Sequence, residues 1–386
     1  MPESRAIVVG AGVGGLAAAL ALTRAGWPVT VLERRADGQG AGSGISLWPN
    51  ALRALAELGV ADLIVPGAVL SGRSAVRTPG GAFLARTDTG GAIAERHGLP
   101  LVLLRRETLR SALRDTLGAE HIRSGAQVLR VITGAENATV ITATDTYAAD
   151  LVVAADGARS RVRDQLFPEH PGLRYAGYTT WRMLASRPDH DIEPSETWGP
   201  DGRRFAILPL DDCLYCYATA NSDAGNPAPD ERDQLRERFG HWHAPIPQII
   251  DGLDRTDVIR TDVFALSTPL RAYHRGRVAL LGDAAHAMTP DLGQGGCQAL
   301  EDAVVLGAVA SAADPVEQSL RRYSALRVPR GADLIRRSHS AGRIYQAPVP
   351  VARAVARLSG LLPARLTVRA LDPVLSWRPP IRSGQE

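Results

Sequence analysis

Apolar and polar positions fall in blocks at the start of the chain. Ala6-Ile7-Val8-Val9 is a short, wholly apolar run, as expected of a strand covered on both faces. Gly14–Arg24 is rich in Ala and Leu on every side and stops at Gly26, the pattern of a buried helix with a glycine end. Val29–Leu32 is apolar again. Strand, helix and strand in this order predict a parallel pair joined by a right-handed crossover. Further along, the pattern predicts a helix over Asn50–Glu57, a strand over Leu101–Leu104 and a helix over Arg106–Leu117. Gln127–Ile132 and Thr139–Ala143 read as an antiparallel pair, and Leu151–Ala154 as a buried parallel strand.

From about Gly172 to Phe264 the character changes. Thr179–Ala185, Arg204–Leu208 and Leu214–Ala220 read as strands, with helices at Pro227–Phe239 and Pro245–Leu253. The earlier style returns at Val278–Leu281, an apolar strand running into Gly282-Asp283. Long helices follow at Gly296–Ala310 and Val316–Arg337, and the remainder reads as a helical, Arg-rich, Pro-interrupted tail. The predicted fold class is α/β. A Rossmann-type nucleotide-binding domain occupies 1–171 and closes over 267–345, a β-sheet substrate domain is inserted at 172–266, and a helical C-terminal tail covers 346–386.

Composition adds limits. The chain has 386 residues, 45% hydrophobic and 22% charged, an ordinary globular balance with room for two or three domains. A formal net charge of +3 is too weak to imply nucleic acid. The local basic excess at Arg321, Arg322, Arg327, Arg330, Arg336 and Arg337 reads as a solvated helix face. Met1-Pro2-Glu3-Ser4-Arg5 leads straight into the first strand without a signal-peptide pattern, and no run approaches the roughly 20 apolar residues of a membrane span. A cytoplasmic protein, monomeric or homodimeric, is expected. Cys213 and Cys216 form a C-x-x-C, but on a strand these positions face opposite ways, so neither a metal nor a redox site is predicted. Cys297 reads as a small helix residue.

Four motifs carry chemistry. Gly10-Ala11-Gly12-Val13-Gly14-Gly15 is a G-x-G-x-x-G between strand and helix. Gly10 permits the tight turn, Gly12 lets backbone approach a pyrophosphate, Gly15 lets helix and strand pack closely, and the helix N-terminus faces the phosphates. Glu33 closes the second strand 18 residues after Gly15, where an acid accepts hydrogen bonds from ribose hydroxyls. Asp156-Gly157 follows the strand Leu151–Ala154 and is, alone, a strand-to-helix turn. Gly282-Asp283 places a carboxylate where open α/β sheets bind ligands, for polyol hydroxyls or as a helix cap. Pro290-Asp291-Leu292-Gly293-Gln294-Gly295-Gly296 opens a long helix and exposes backbone N–H groups that stabilise an anion.

Together and in this order these motifs resemble the single-component FAD-dependent aromatic hydroxylases, the p-hydroxybenzoate hydroxylase-like monooxygenases, over Ala6 to about Arg337. The look of Ile45-Ser46-Leu47-Trp48-Pro49-Asn50 and Cys297-Gln298-Ala299-Leu300-Glu301-Asp302-Ala303 is similar to the short salicylate- and urate-hydroxylase-like members. The resemblance implies bound FAD, with NADH or NADPH and O2 as co-substrates. Glu33 and Arg34 would hold the adenosine ribose, Val128 the adenine through its backbone, and Arg106 the phosphate or ribityl region. Asp283, beside Gly282, would bind the ribityl chain. Gly293, Gln294, Gly295 and Gly296 would cradle the flavin's pyrimidine edge, with Ser46 nearby, and Asp156-Gly157 would serve both FAD and NAD(P)H. The implied reaction hydroxylates a small aromatic or phenol-like molecule through a flavin C4a-hydroperoxide. The flavin carries the chemistry, so no catalytic side chain is assigned; His286 after G-D-A-A reads as structural.

The substrate pocket is expected from the β-rich region. Alternation puts Arg204, Ala206 and Leu208 on one face, with Tyr215 and Tyr217 sharing a face of the next strand. Arg204 would bind an anionic or carbonyl-bearing substrate, or else stand on the surface beside Arg203. The urate hydroxylases have an arginine here and a tyrosine on the following strand; Cys216 is read at that tyrosine's position, a departure that counts against urate. Trp48, Trp181 and Pro290 are expected as apolar walls or ordinary core. Alternatives are epoxidation or Baeyer–Villiger oxidation of a natural-product scaffold, or a non-catalytic binding protein of the same fold.

Overall fold

The computed structural model describes residues 5–36, 43–67 and 74–380, without the side chains of 349, 352, 353, 356 and 359. The end of the expected tail, 381–386, lies outside the described residues.

The nucleotide fold is built on a six-stranded sheet. Its order is His274–Arg275, Val278–Leu280, Leu151–Ala154, Ala6–Val9, Val29–Glu33 and Ile122–Ser124. All neighbours run parallel except the first pair. Ala6–Val9 and Leu151–Ala154 are buried along their whole length, because strands at the middle of this sheet are covered on both faces. The helix Val13–Arg24 lies on it, buried from Leu16 through Leu22, and Gly26 ends it with a φ of 87°. A second helix, Gly295–Val309, packs across it; a Cβ at Gly307 would stand 2.8 Å from the Ala21 Cβ, so only glycine permits this approach.

The second sheet has seven strands, in the order Ile259–Leu266, Leu173–Ser186, Cys213–Asn221, Arg204–Pro209, Ser195–Trp198, Ser74–Arg77 and Phe83–Thr87. Its last two strands come from before residue 171, so the β-rich region is not confined to the expected 172–266. Ser74–Arg77 adds to Ser195–Trp198 in parallel, a long-range pairing with no local signal. The back of this sheet buries Trp181, Met183, Phe205, Ile207 and Cys216 against the helices Glu231–Phe239 and Ile246–Asp251. The front carries Arg204, Ala206, Leu208, Tyr215 and Tyr217 by the same alternation. Two small sheets complete the fold: Thr146–Ala149, Ala138–Thr142 and Val128–Thr133 in one, Gly44–Leu47 with Val102–Arg105 in the other.

Two expectations are corrected. The helix from Val316 runs on to Tyr345 rather than stopping at Arg337, which carries its end across to the second sheet. Arg327 and Arg330 do not belong to a solvated face. Arg327 is 1% exposed; its Nε donates to Asp302 Oδ1 at 2.5 Å and its Nη1 to Glu301 Oε2 at 2.7 Å. Arg330 Nε donates to Glu301 Oε2 at 2.5 Å. Two arginines therefore face two carboxylates that are themselves fully buried on Gly295–Val309. Burial pushes the Asp302 carboxyl upward, but His286 and Arg327 outweigh it and hold the group below the ordinary carboxylate range.

The thiols follow the strand geometry. Cys216 lies in the back-face core and Cys213 packs on the other side with Leu103, Leu210 and Tyr215. All three cysteines are unpaired and buried. Burial pushes the Cys213 thiol up to about 11, Cys297 up to about 12, and Cys216 higher still.

Two predictions follow from this packing. Arg327→Ala leaves Glu301 and Asp302 with a deficit of buried positive charge and is expected to cost about 3–5 kcal/mol of stability in a urea titration. A thiol-reactive dye at mildly alkaline pH is expected to label none of the cysteines in the folded protein and all of them in denaturant; rapid native labelling would contradict the burial.

Candidate functional site

The site begins at the first turn of the nucleotide fold. Gly10 adopts φ 102°, a conformation L side chains avoid. A Cβ at Gly15 would lie 1.9 Å from the Gly10 carbonyl oxygen, whereas one at Gly12 would meet nothing within 4 Å. Gly15 is thus locked by packing and Gly12 lies bare toward the open side. The helix has no side-chain N-cap, so the first-turn N–H groups of Val13, Gly14 and Gly15 lack intrahelical partners. These features fit a pyrophosphate. Glu33 Oε2 accepts the Ala11 N–H at 2.7 Å and Oε1 the Arg35 N–H at 2.9 Å, which pins the carboxylate beside the turn. Arg34 is exposed next to it.

At the middle of the cleft, Gly282 has φ 63° and ψ −138°, and its N–H donates to Asp302 Oδ2 at 2.9 Å. The turn is therefore anchored from the buried ion cluster, and it leaves Asp283 exposed. The Asp283 carboxylate faces the next helix start, 3.6 Å from where a Gly295 Cβ would sit. Arg106 is exposed at the start of its helix, and its N–H donates to the Ser43 carbonyl at 2.8 Å. Val128 is half-buried beside a register shift in its strand. Asp156 Oδ2 accepts the Val162 N–H at 3.3 Å, while Oδ1 is buried without a partner among the described residues. Burial raises its carboxyl above the ordinary range. The helix after it is capped by Ser160, so Asp156 is not the cap. Gly157, at φ 86°, supplies the turn. His286 is fully buried and donates from Nε2 to Asp302 Oδ2 at 2.6 Å, a structural position.

The last part is the glycine loop. Pro290–Leu292 forms a single turn with Pro290 exposed, Gly293 takes φ 61°, and the helix starts at Gly295. Gln294 is buried and accepts the Asn50 Nδ2–H at 3.0 Å; Asn50 also donates to Glu301 Oε1 at 2.6 Å. The strand Gly44–Leu47 covers the loop: a Gly296 Cβ would lie 2.8 Å from Ile45 Cδ1, and Cys297 Sγ reaches the Ser46 carbonyl at 3.6 Å. The Trp48 indole N–H is buried, unpartnered among the described residues and 3.2 Å from a Gly293 Cβ position. Tyr215, from the front of the second sheet, packs its ring against Gly44, leaving no room for a Cβ there. The loop and that sheet face thus meet at one place.

Arg204 stands at this meeting point, 5% exposed, so the surface reading is overturned. Neither is it a free cation. Nη1 donates to Glu196 Oε1 and Nη2 to Asp291 Oδ1, both at 3.1 Å, and Nε to Thr219 Oγ1 at 3.3 Å. Its guanidinium lies 4.4 Å from the centre of the Tyr345 ring. Tyr217 donates to Glu196 Oε1 at 2.9 Å, Trp198 Nε1 to Glu196 Oε2 at 2.7 Å, and Tyr178 to Asp291 Oδ2 at 2.7 Å. Burial, and then the adjoining carboxylates, push both tyrosine hydroxyls well above their ordinary range. Burial pulls Arg204 down, but Glu196, Tyr217 and Asp291 more than compensate and hold it above its ordinary value.

Two pocket expectations are corrected. Trp181 is not a wall: it points to the back, packs edge-on to Phe239 and donates from Nε1 to Glu231 at 2.7 Å. Cys216 does not stand at a site tyrosine's position, because it too points to the back; the front-face hydroxyl beside Arg204 belongs to Tyr217. Glu196, Tyr178, Trp198 and Tyr345 went unread. Glu196 and Trp198 alternate on a short strand with no distinguishing pattern, and Tyr345 lies beyond the predicted helix end.

The profile of the FAD binding domain family matches residues 3–338. The chain belongs to that family. It is 38% identical over 348 residues to the aurachin C monooxygenase/isomerase of Stigmatella aurantiaca, covering 88% of this chain and 89% of that one. It is 35% identical over 341 residues to an FAD-dependent urate hydroxylase of Klebsiella pneumoniae, covering 86% and 88%. The structure of Klebsiella pneumoniae HpxO with FAD and uric acid superposes with a TM-score of 0.88 at 31% identity, over 97% of each chain. The chain is thus an FAD-dependent flavoprotein monooxygenase of the aromatic hydroxylase group, with NAD(P)H as the family's co-substrate. The non-catalytic reading is set aside. No helix among the described residues is long and apolar enough to cross a membrane.

Gly15→Ala is expected to yield a folded but colourless protein, or none, since the added methyl meets backbone rather than a movable side chain. A yellow G15A protein with full FAD content would contradict the packing.

Proposed function

We propose that this chain uses NAD(P)H and O2 to hydroxylate a small aromatic ring held between the glycine loop Gly293–Gly296 and the front of the second sheet. The observation that carries this reading is that Trp48 abuts Gly293, Arg204 is bonded to Asp291 just before the loop, and Tyr217 shares the Glu196 carboxylate with Arg204. Bound FAD supplies hydride acceptance and oxygen activation. The chain's own residues supply position, dryness and charge.

Gly10, Gly12, Val13, Gly14 and Gly15 bind the pyrophosphate, Glu33 and Arg34 the adenosine ribose, and Val128 the adenine. Arg106 and Asp283 hold the ribityl and phosphate region. Gly293 to Gly296 donate backbone N–H groups to the flavin's pyrimidine edge, where the helix start favours negative charge. Trp48 and Ser46 close that edge, and Asp156-Gly157 lines the approach of the nicotinamide. Three free thiols suit a reducing, cytoplasmic setting.

Asp283→Ala is expected to weaken FAD retention about ten- to a hundredfold, the loss of one or two hydrogen bonds to a charged acceptor. Unchanged retention would remove that role. In a screen of phenols and nitrogen heteroaromatics, a substrate is expected to speed NAD(P)H oxidation and to yield a ring-hydroxylated product. Acceleration with only hydrogen peroxide as product, across every ring tested, would defeat the hydroxylase reading for those classes.

A further inference from the structure

The Arg204 cluster has a charge imbalance. One guanidinium meets two carboxylates, Glu196 and Asp291, so the group carries a formal charge of −1 at the place where substrate sheet and glycine loop meet. Its hydrogen bonds point the same way. The hydroxyls of Tyr217 and Tyr178 and the indole N–H of Trp198 are all committed to the carboxylates. Glu196 Oε2 accepts only one of these bonds, so spare capacity at this carboxylate is for accepting. Asp291 is fully shielded, whereas Glu196 keeps 19% of its side chain exposed and is the carboxylate a ligand can reach. Another cation on this face, Arg182, pairs in register with Tyr217 on the far side from Arg204, and its field and that of Arg106 act on Tyr215.

We propose that Glu196 sets the substrate class: with Arg204 held by two carboxylates, the site takes an uncharged aromatic ring bearing a ring N–H or phenolic O–H, which donates to Glu196, and it rejects carboxylated and anionic rings. The proposal rests on the aromatic-hydroxylase reading and deepens it. A ring carboxylate placed near Arg204 meets two like charges with it, and juxtaposed like charges are strongly unfavourable in a desolvated site. An N–H donor instead fills an acceptor left free by the cluster.

The test uses the FAD-loaded enzyme at neutral pH and two ligands that differ by one group, 4-hydroxyquinoline and its 2-carboxylic acid. Binding is read from perturbation of the flavin absorbance, without turnover. The wild type is expected to bind the uncharged ring about tenfold or more tightly than the carboxylate. Glu196→Gln, which removes the charge and keeps the shape, is expected to shrink that ratio about tenfold by strengthening the carboxylate. Asp291→Asn provides an independent route to the same change if E196Q folds poorly, FAD content serving as the folding control.

Equal binding of the two rings by the wild type overturns the proposal, as does an unchanged ratio in both variants. Tight carboxylate binding that Arg182→Gln abolishes would make Arg182 the anion site and also overturn it. A protein that keeps FAD and is reduced by NAD(P)H but binds neither ring defeats this inference and leaves the monooxygenase reading standing. A protein that retains no FAD defeats both.

Discussion

The buried pairing of Arg327 and Arg330 with Glu301 and Asp302 is the constraint on which the cofactor cleft depends. It lies between two long helices, and both ends of the cleft hang from it. Asp302 holds the Gly282 N–H and His286, which fixes the turn that presents Asp283. Glu301 holds Asn50, and Asn50 holds Gln294, which fixes the glycine loop. Buried ions of this kind add little net stability over an apolar core, but removing one partner is costly. Here the ions act as a frame: Asp302 holds glycine backbone directly, and Glu301 holds the Asn50 side chain that fixes Gln294.

The nucleotide half of the fold was largely legible in the sequence, and for a local reason. The wholly apolar strands, the all-round apolar helix and the glycine spacing are each confined to a few consecutive residues, and each has one mechanical reading. The substrate half was legible only in part. Alternation on Arg204–Pro209 and Cys213–Asn221 assigned their faces correctly, but it could not show which partners those faces would meet. Arg204 looked like a free cation because Glu196 and Asp291, which neutralise it, arrive from 8 residues before it and 87 after it. Trp181 stayed open between wall and core because alternation along a strand does not say which face docks on the site; the structure puts it in the core. The parallel addition of Ser74–Arg77 to Ser195–Trp198 left no trace, since edge pairing over that distance has no local pattern.

The second sheet divides labour between its faces. The back is aromatic and dry, with Phe205, Phe239 and Trp242 in edge-on contact. That packing gives the sheet a rigid floor. The front is polar where it meets the glycine loop, and Arg204 there is held by Glu196 and Asp291 from two other segments. In the proposed site a reacting ring would meet groups whose own orientations are already fixed, as catalysis by orientation requires.

Tyr345 shows where such a fold can be cut. The family profile ends at residue 338, and the nucleotide sheet and both carboxylate anchors lie before that point. Yet the ring that covers the Arg204 guanidinium and meets Trp198 edge-on sits seven residues later, at the end of the long helix. On the proposed reading, cofactor binding and substrate recognition have different C-terminal limits. A boundary drawn at the end of the profile leaves out a ring of the proposed substrate site, so grafting that site onto a relative means exchanging the helix end together with the sheet.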